Sequence, residues 1–186
     1  MVIKKESIKD FSDNFKKLEG SIKYCNYNIL LNGRIFDFGN DGVDFSLDNL
    51  RQIYFDKVSA LCTPEGHHTH PETLYKLPCV NGSIEISSYE KSISEINTAL
   101  SFDNDADLSK LSDQAPETIE KTLMWRRQLF WKIVEKYFDI GATTQVLLHI
   151  GESNTFFGDG IMWDFCIIYI NDNSKKALVL SGCAFD

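Results

Sequence analysis

The feature that most constrains this chain is the segment Pro116 to Phe138, followed at once by a β-rich C-terminal third. Its apolar residues recur at helical spacing through Ile119, Leu123, Phe130, Ile133, Val134 and Tyr137. Pro116 suits the first helical position, and Glu117 and Glu120 sit near the positive end of the helix dipole. Met124, Trp125, Leu129, Trp131 and Phe138 widen the stripe, so much of this helix is expected to be buried, with Gly141 ending it. Thr143–Ile150 and Ile161–Ile170 then read as strands, and Lys175–Leu180 pairs back across the turn Asn171-Asp172-Asn173-Ser174. Three successive strands with short connections predict an antiparallel meander.

Upstream the pattern is more mixed. Residues 4–19 place Ile8, Phe11, Phe15 and Leu18 on one helical face, with Gly20 at the C-cap. Residues 21–31 read as a strand, Asn32-Gly33 as a two-residue hairpin turn, and Arg34–Phe38 as the return strand. Gly39-Asn40-Asp41-Gly42 reads as another turn. Residues 47–58 fit helix or strand equally, and residues 62–82 are irregular, with Asn81-Gly82 as a turn. Ser83–Ser87 reads as a short strand and residues 88–100 as a helix through Tyr89, Ile93, Ile96 and Leu100. Residues 101–115 read as an acidic loop. The expected fold class is α+β, as a single domain over residues 1–186: an antiparallel sheet with one face covered by the N-terminal helix and the 116–138 helix. Pattern alone leaves open whether all strands share one sheet.

Composition excludes several classes. With 43% apolar and 12% aromatic residues the 186-residue chain is no disordered polymer, and no apolar run approaches the roughly 20 residues of a bilayer span. A net charge of −8 disfavours nucleic acid and anionic membranes as partners, because phosphate binding needs clustered Lys and Arg. The five cysteines (Cys25, Cys62, Cys79, Cys166 and Cys183) are odd in number and widely spaced, which argues for reduced thiols. The N-terminal residues lack a secretory pattern, so the expected location is cytoplasmic.

Candidate chemistry is sparse. Cys62, His67, His68, His70 and Cys79 are zinc-type ligands by residue type, but their spacing matches no finger or knuckle, and exposed loop residues explain them as well. Asp103-x-Asp105-x-Asp107 opens like a calcium loop, yet the positions that need Gly and Glu hold Leu108 and Gln114. Cys166 lies in an apolar run and reads as a core residue; His149 on the preceding strand is the one base that would face it. Cys183 is expected to be exposed. Trp125-Arg126-Arg127 and Trp131-Lys132 offer stacking plus charge of the kind that binds nucleic acid, but three basic residues on a mainly apolar helix in an acidic protein read as its solvent edge. Gly158 and Gly160 form no phosphate loop. No cofactor is expected.

In overall profile the chain resembles bacterial toxin-immunity proteins, small acidic α+β inhibitors of interbacterial toxins such as those of contact-dependent growth inhibition. The resemblance implies a non-enzymatic protein that neutralises a cognate toxin domain by stoichiometric binding, with a basic nuclease a natural target for an acidic inhibitor. The acidic stretch Asp103, Asp105, Asp107, Asp113 and Glu117 is the expected toxin-facing patch, six acidic residues facing Lys110 alone between Leu100 and Glu120. The sequence leaves two other classes open: a metal- or thiol-dependent enzyme built on residues 62–79, and a structural subunit of a larger complex.

Overall fold

The computed structural model describes residues 2–3, 11, 13–19, 28–38, 83–101, 116–150 and 161–185. The turns expected at 39–42 and 81–82, the ambiguous segment 47–58 and the loop 151–160 lie outside the described residues.

The fold is α+β. Six strands form one antiparallel sheet: β1 (Val2–Ile3), β2 (Asn28–Asp37), β3 (Ser83–Ser87), β4 (Gln145–Ile150), β5 (Ile161–Asn171) and β6 (Lys176–Phe185). Their order across the sheet is β1-β2-β6-β5-β4-β3, so strands from both ends of the sequence share it. The C-terminal meander β4-β5-β6 is present as expected. Its second turn spans residues 172–175, where Lys175 takes a positive φ of 53° and pairs with Asp172. Among the described residues three helices accompany the sheet: α1 (residues 13–19, with Phe11 also helical), α2 (Tyr89–Leu100) and α3 (Pro116–Glu135).

Two sequence expectations are corrected here. Asn32-Gly33 is no turn: β2 runs unbroken from Asn28 to Asp37 and pairs with β6 along its whole length. Gly33 serves the packing instead. A Cβ there would stand 2.7 Å from Phe11 Cδ1 and 2.9 Å from Phe15 Cε2, so the missing side chain is what lets α1 lie down on the strand. The long helix ends at Glu135, ahead of Gly141, which lies in a separate 3₁₀ turn, Ile140–Ala142, capped by Asp139.

The helices form one layer on the sheet. In α3, Phe130, Ile133 and Val134 face inward, and Phe130 meets Phe15 of α1 and Phe165 of β5 at ring-centroid distances of 5.4 and 6.5 Å. Tyr137, just past α3, packs on Phe11 and accepts a 2.8 Å hydrogen bond from Asn14. On its other flank α3 is bonded to α2, which places α3 between α1 and α2. Under α2, Tyr169 of β5 donates its hydroxyl to Ser92 at 3.1 Å, which satisfies a buried phenol. At the β2 edge, β1 reaches only Phe36 and Asp37, and the Glu19 carboxylate accepts the Leu31 N–H at 2.7 Å.

Burial extends to both faces of the sheet, beyond the one-sided cover expected. Leu31, Ile35, Val146, Leu148, Phe165, Ile167, Tyr169, Leu178 and Leu180 lie on the helix side. By strict alternation Phe36, Leu147, Cys166, Ile168, Ile170, Val179 and Cys183 point the other way, and they are buried as well. A run such as Phe165–Ile170, apolar at every position, is what two buried faces require. Cys166 is a core residue, as its sequence context implies. Cys183, expected to be exposed, is 0% exposed, because β6 is an interior strand that carries its C-terminal end between β2 and β5. Burial pushes its thiol well above the usual range, reinforced by the negative charges of Asp164 and Glu19.

Two outcomes follow from this packing. Gly33→Ala loses about 1–3 kcal/mol in urea unfolding through overpacking against two phenyl rings, and Phe11→Leu in the same chain recovers part of that loss. For Cys183 the protonated form is the folded form, so its contribution holds below the unfolded thiol pKa of about 8.5 and fades as pH rises past it, by up to about 1.4 kcal/mol per pH unit. The urea midpoint therefore declines above about pH 9, and Cys183→Ala makes that decline shallower by about one proton.

Candidate functional site

The surface with the most built-in chemistry is the seam between α2 and α3. Asn97 and Ser101 on α2 face α3. The Trp131 indole N–H donates to Asn97 Oδ1 at 2.8 Å, and Arg127 Nε donates to Ser101 Oγ at 2.6 Å. The Ser101 hydroxyl in turn donates a hydrogen bond to the backbone carbonyl of Asn97 at 2.5 Å. Arg127 thereby brings a cation to the C-terminal end of α2, whose last turn holds no basic residue of its own. The contacts 127–101 and 131–97 run in opposite directions along the two helices, so the pair is antiparallel.

Outside this seam lies an open groove of about 490 Å³ lined by Tyr89, Glu90, Ile93, Ser94, Asn97, Thr98 and Arg127. Its two ends differ in charge. Arg127 occupies one end. At the other stand Tyr89 and Glu90, where burial raises the Tyr89 phenol above its ordinary pKa and the negative charges of Glu135 and Glu90 add to the rise. Lys91 and Glu95 pair with each other at 3.8 Å on the opposite flank of α2.

α3 departs from expectation along this surface. Met124 and Trp125, expected in the buried stripe, are 50% and 48% exposed, and Arg126, expected at the solvent edge, is 4% exposed. The helix is rotated so that Arg126 joins Phe130, Ile133 and Val134 on the inward side. Met124 then shares the flank of Arg127 and Trp131, at spacings of three and four, whereas Trp125 lies about 100° further round the helix, away from Arg127. Single exposed hydrophobic residues need no explanation; two large ones next to each other in sequence on one helix are a candidate contact surface. The third exposed large hydrophobic, Ile86, lies on edge strand β3 next to the exposed carboxylate of Glu85, a charge that discourages strand pairing there.

The second place of interest is the sheet face away from the helices. Leu148 pairs with Ile167, so the next position puts His149 and Cys166 side by side on that face, as sequence alternation allows. Ser181 lies opposite Cys166, and Asp164 opposite Cys183. His149, Cys166, Ser181 and Cys183 are all buried. Among the described residues no group of three or more His, Cys, Asp or Glu side chains is placed to hold a metal ion.

The other expected site residues fall elsewhere. Asp103, Asp105, Asp107 and Asp113 lie outside the described residues, as do Cys62, His67, His68, His70 and Cys79. Glu117 is in the first turn of α3, two turns before Met124. The groove itself went unmarked in the sequence, because it joins residues about 30 apart along the chain through tertiary packing. The signal that was present is the pair Arg127 and Trp131, one turn apart on one flank of a helix.

Among the described residues no helix is long and apolar enough to cross a membrane. No family model matches the sequence, and no curated protein matches it. Among solved structures the chain is similar to citrus MAF1. One crystal structure aligns with a TM-score of 0.51 at 10% identity, over 94% of this chain and 98% of that one. A second crystal form gives 0.46 at 11% identity, over 92% and 98%. At this identity the first alignment establishes a shared overall fold, since a fold hosts many functions.

Proposed function

We propose that this protein works by stoichiometric binding of another protein through its helical layer, and that its partner is a toxin domain which the binding neutralises, in the manner of an immunity protein. The observation that carries the reading is the adjacent pair Met124 and Trp125, each about half exposed on α3. Trp is the residue type most enriched among binding hot spots, and one that already stands on a rigid helix loses little freedom when covered. The sheet behind it is paired strand to strand across six positions, so the helices rest on a stiff platform. The net charge of −8 supports the choice of partner: it accelerates encounter with a basic domain and repels acidic competitors.

The test is co-expression with a toxin domain encoded beside this chain, read by co-purification and by growth. A 1:1 complex and restored growth are expected. Trp125→Asp, at an exposed position, leaves the melting temperature within a few degrees and weakens the complex by at least tenfold. A partner that neither co-purifies nor spares growth, or a Trp125→Asp chain that binds at full strength, contradicts the proposal.

A further inference from the structure

We propose that the α2–α3 groove receives one amphipathic helix of the partner, carrying an acidic side chain that meets Arg127 and, about three turns along the same face, a basic side chain that meets Glu90. This rests on the protein-binding reading above and adds the chemistry of the occupant. The shape argument comes first. Two antiparallel helices packed side by side leave a furrow into which the ridge of a third helix fits, and helix-in-groove docking is a recurrent mode of recognition. An open groove of about 490 Å³ holds the few side chains of such a ridge.

Charge then sets the chemistry. Arg127 is held by one nitrogen only: its Nε is bonded to Ser101, and among the described residues no other hydrogen bond to it is present. That tether fixes the plane of the guanidinium and leaves its two terminal nitrogens to form a fork, the geometry that reads a carboxylate at two points. Glu90 is exposed at the far end, and Glu135 lends the same end a second negative charge. Glu90 and Ser101 are eleven residues apart on α2, about 16 Å along its axis. On a docked helix the same distance separates positions i and i+11, three turns apart and on one face. Between the charged ends Ile93 offers apolar contact among Ser94, Asn97 and Thr98, while Tyr89 adds its ring beside Glu90 and Met124 lies one turn from Arg127 on α3. The occupant is thereby specified as a helix with acid at one end, base at the other and, between them, an apolar side chain for Ile93 flanked by positions that tolerate Ser94, Asn97 and Thr98.

Three synthetic 18-residue helical peptides test this. They are identical except at positions 3 and 14, which hold Glu and Lys, Lys and Lys, or Glu and Glu, with Leu at the intervening groove-facing positions. Affinity for the full chain is measured by fluorescence anisotropy at low salt. The Glu/Lys peptide is expected to bind roughly fivefold more tightly than either of the others. Arg127→Glu shifts the preference to the Lys/Lys peptide and Glu90→Lys shifts it to the Glu/Glu peptide. Glu90 is exposed, so Glu90→Lys keeps the test valid even if Arg127→Glu loses the Ser101 link and unfolds. Equal binding of the three peptides, binding of none, or an order that Glu90→Lys leaves unmoved overturns the inference. In each of those cases the toxin-domain complex and its sensitivity to Trp125→Asp still report on the protein-binding reading by themselves.

Discussion

The approach of α1 to the sheet at Gly33 is the contact on which the helical layer depends. Two phenyl rings, Phe11 and Phe15, occupy the space that any other residue at position 33 would fill. Phe15 then stacks on Phe130, and Phe130 meets Phe165 on β5, so one line of aromatic rings joins α1, α3 and the sheet. A matching device sits one strand over: Gly182 of β6 leaves room for the Phe165 ring, which a Cβ there would approach to 2.8 Å. The depth at which α3 rests is set by these close approaches. The depth and rotation of α3 in turn decide that Arg126 is covered while Met124 and Trp125 face outward.

The sheet supplies stiffness for a different reason. β5 and β6 are interior strands buried on both faces, and their pairing runs ten residues with a single irregularity near Ile161. Local opening of such strands exposes apolar surface on two sides at once, so it costs more than the opening of an edge. Cys166 and Cys183 share this interior, and burial holds the Cys183 thiol in its neutral form. A neutral, enclosed thiol is a poor nucleophile, and its role there is that of a small apolar side chain. Among the described residues, chemistry open to a partner is found instead on the outer side of α2 and α3, where Glu90 and Arg127 flank Ile93, Ser94, Asn97 and Thr98.

Much of this was legible in the residues, and the failures have physical causes. The meander was readable because Phe165–Ile170 is continuously apolar and a turn cluster follows it. Helix α2 was readable from the stripe Tyr89, Ile93, Ile96 and Leu100, and the structure adds an N-cap, Ser88, which accepts the Lys91 N–H. Gly33 was misread because Asn-Gly is the strongest local hairpin signal, while the demand it meets, two rings from another helix, is tertiary. The rotation of α3 was misread because large apolar residues surround the helix axis from Met124 to Trp131, so periodicity alone does not choose a face. The burial of Cys183 depended on strand order: closeness to a chain end suggests exposure, but pairing with β2 and β5 places β6 inside. The groove left no local trace, since neither helix carries it alone.

The account holds that the helical layer is the working surface and the sheet its rigid support. Hydrogen exchange of the full chain, with and without a bound partner domain, tests this most directly. Added protection confined to residues 89–101 and 124–135, with the amides of β5 and β6 already slow and unchanged, is the predicted pattern. Protection that appears along edge strand β3, or on the sheet with the helices unaffected, would contradict it.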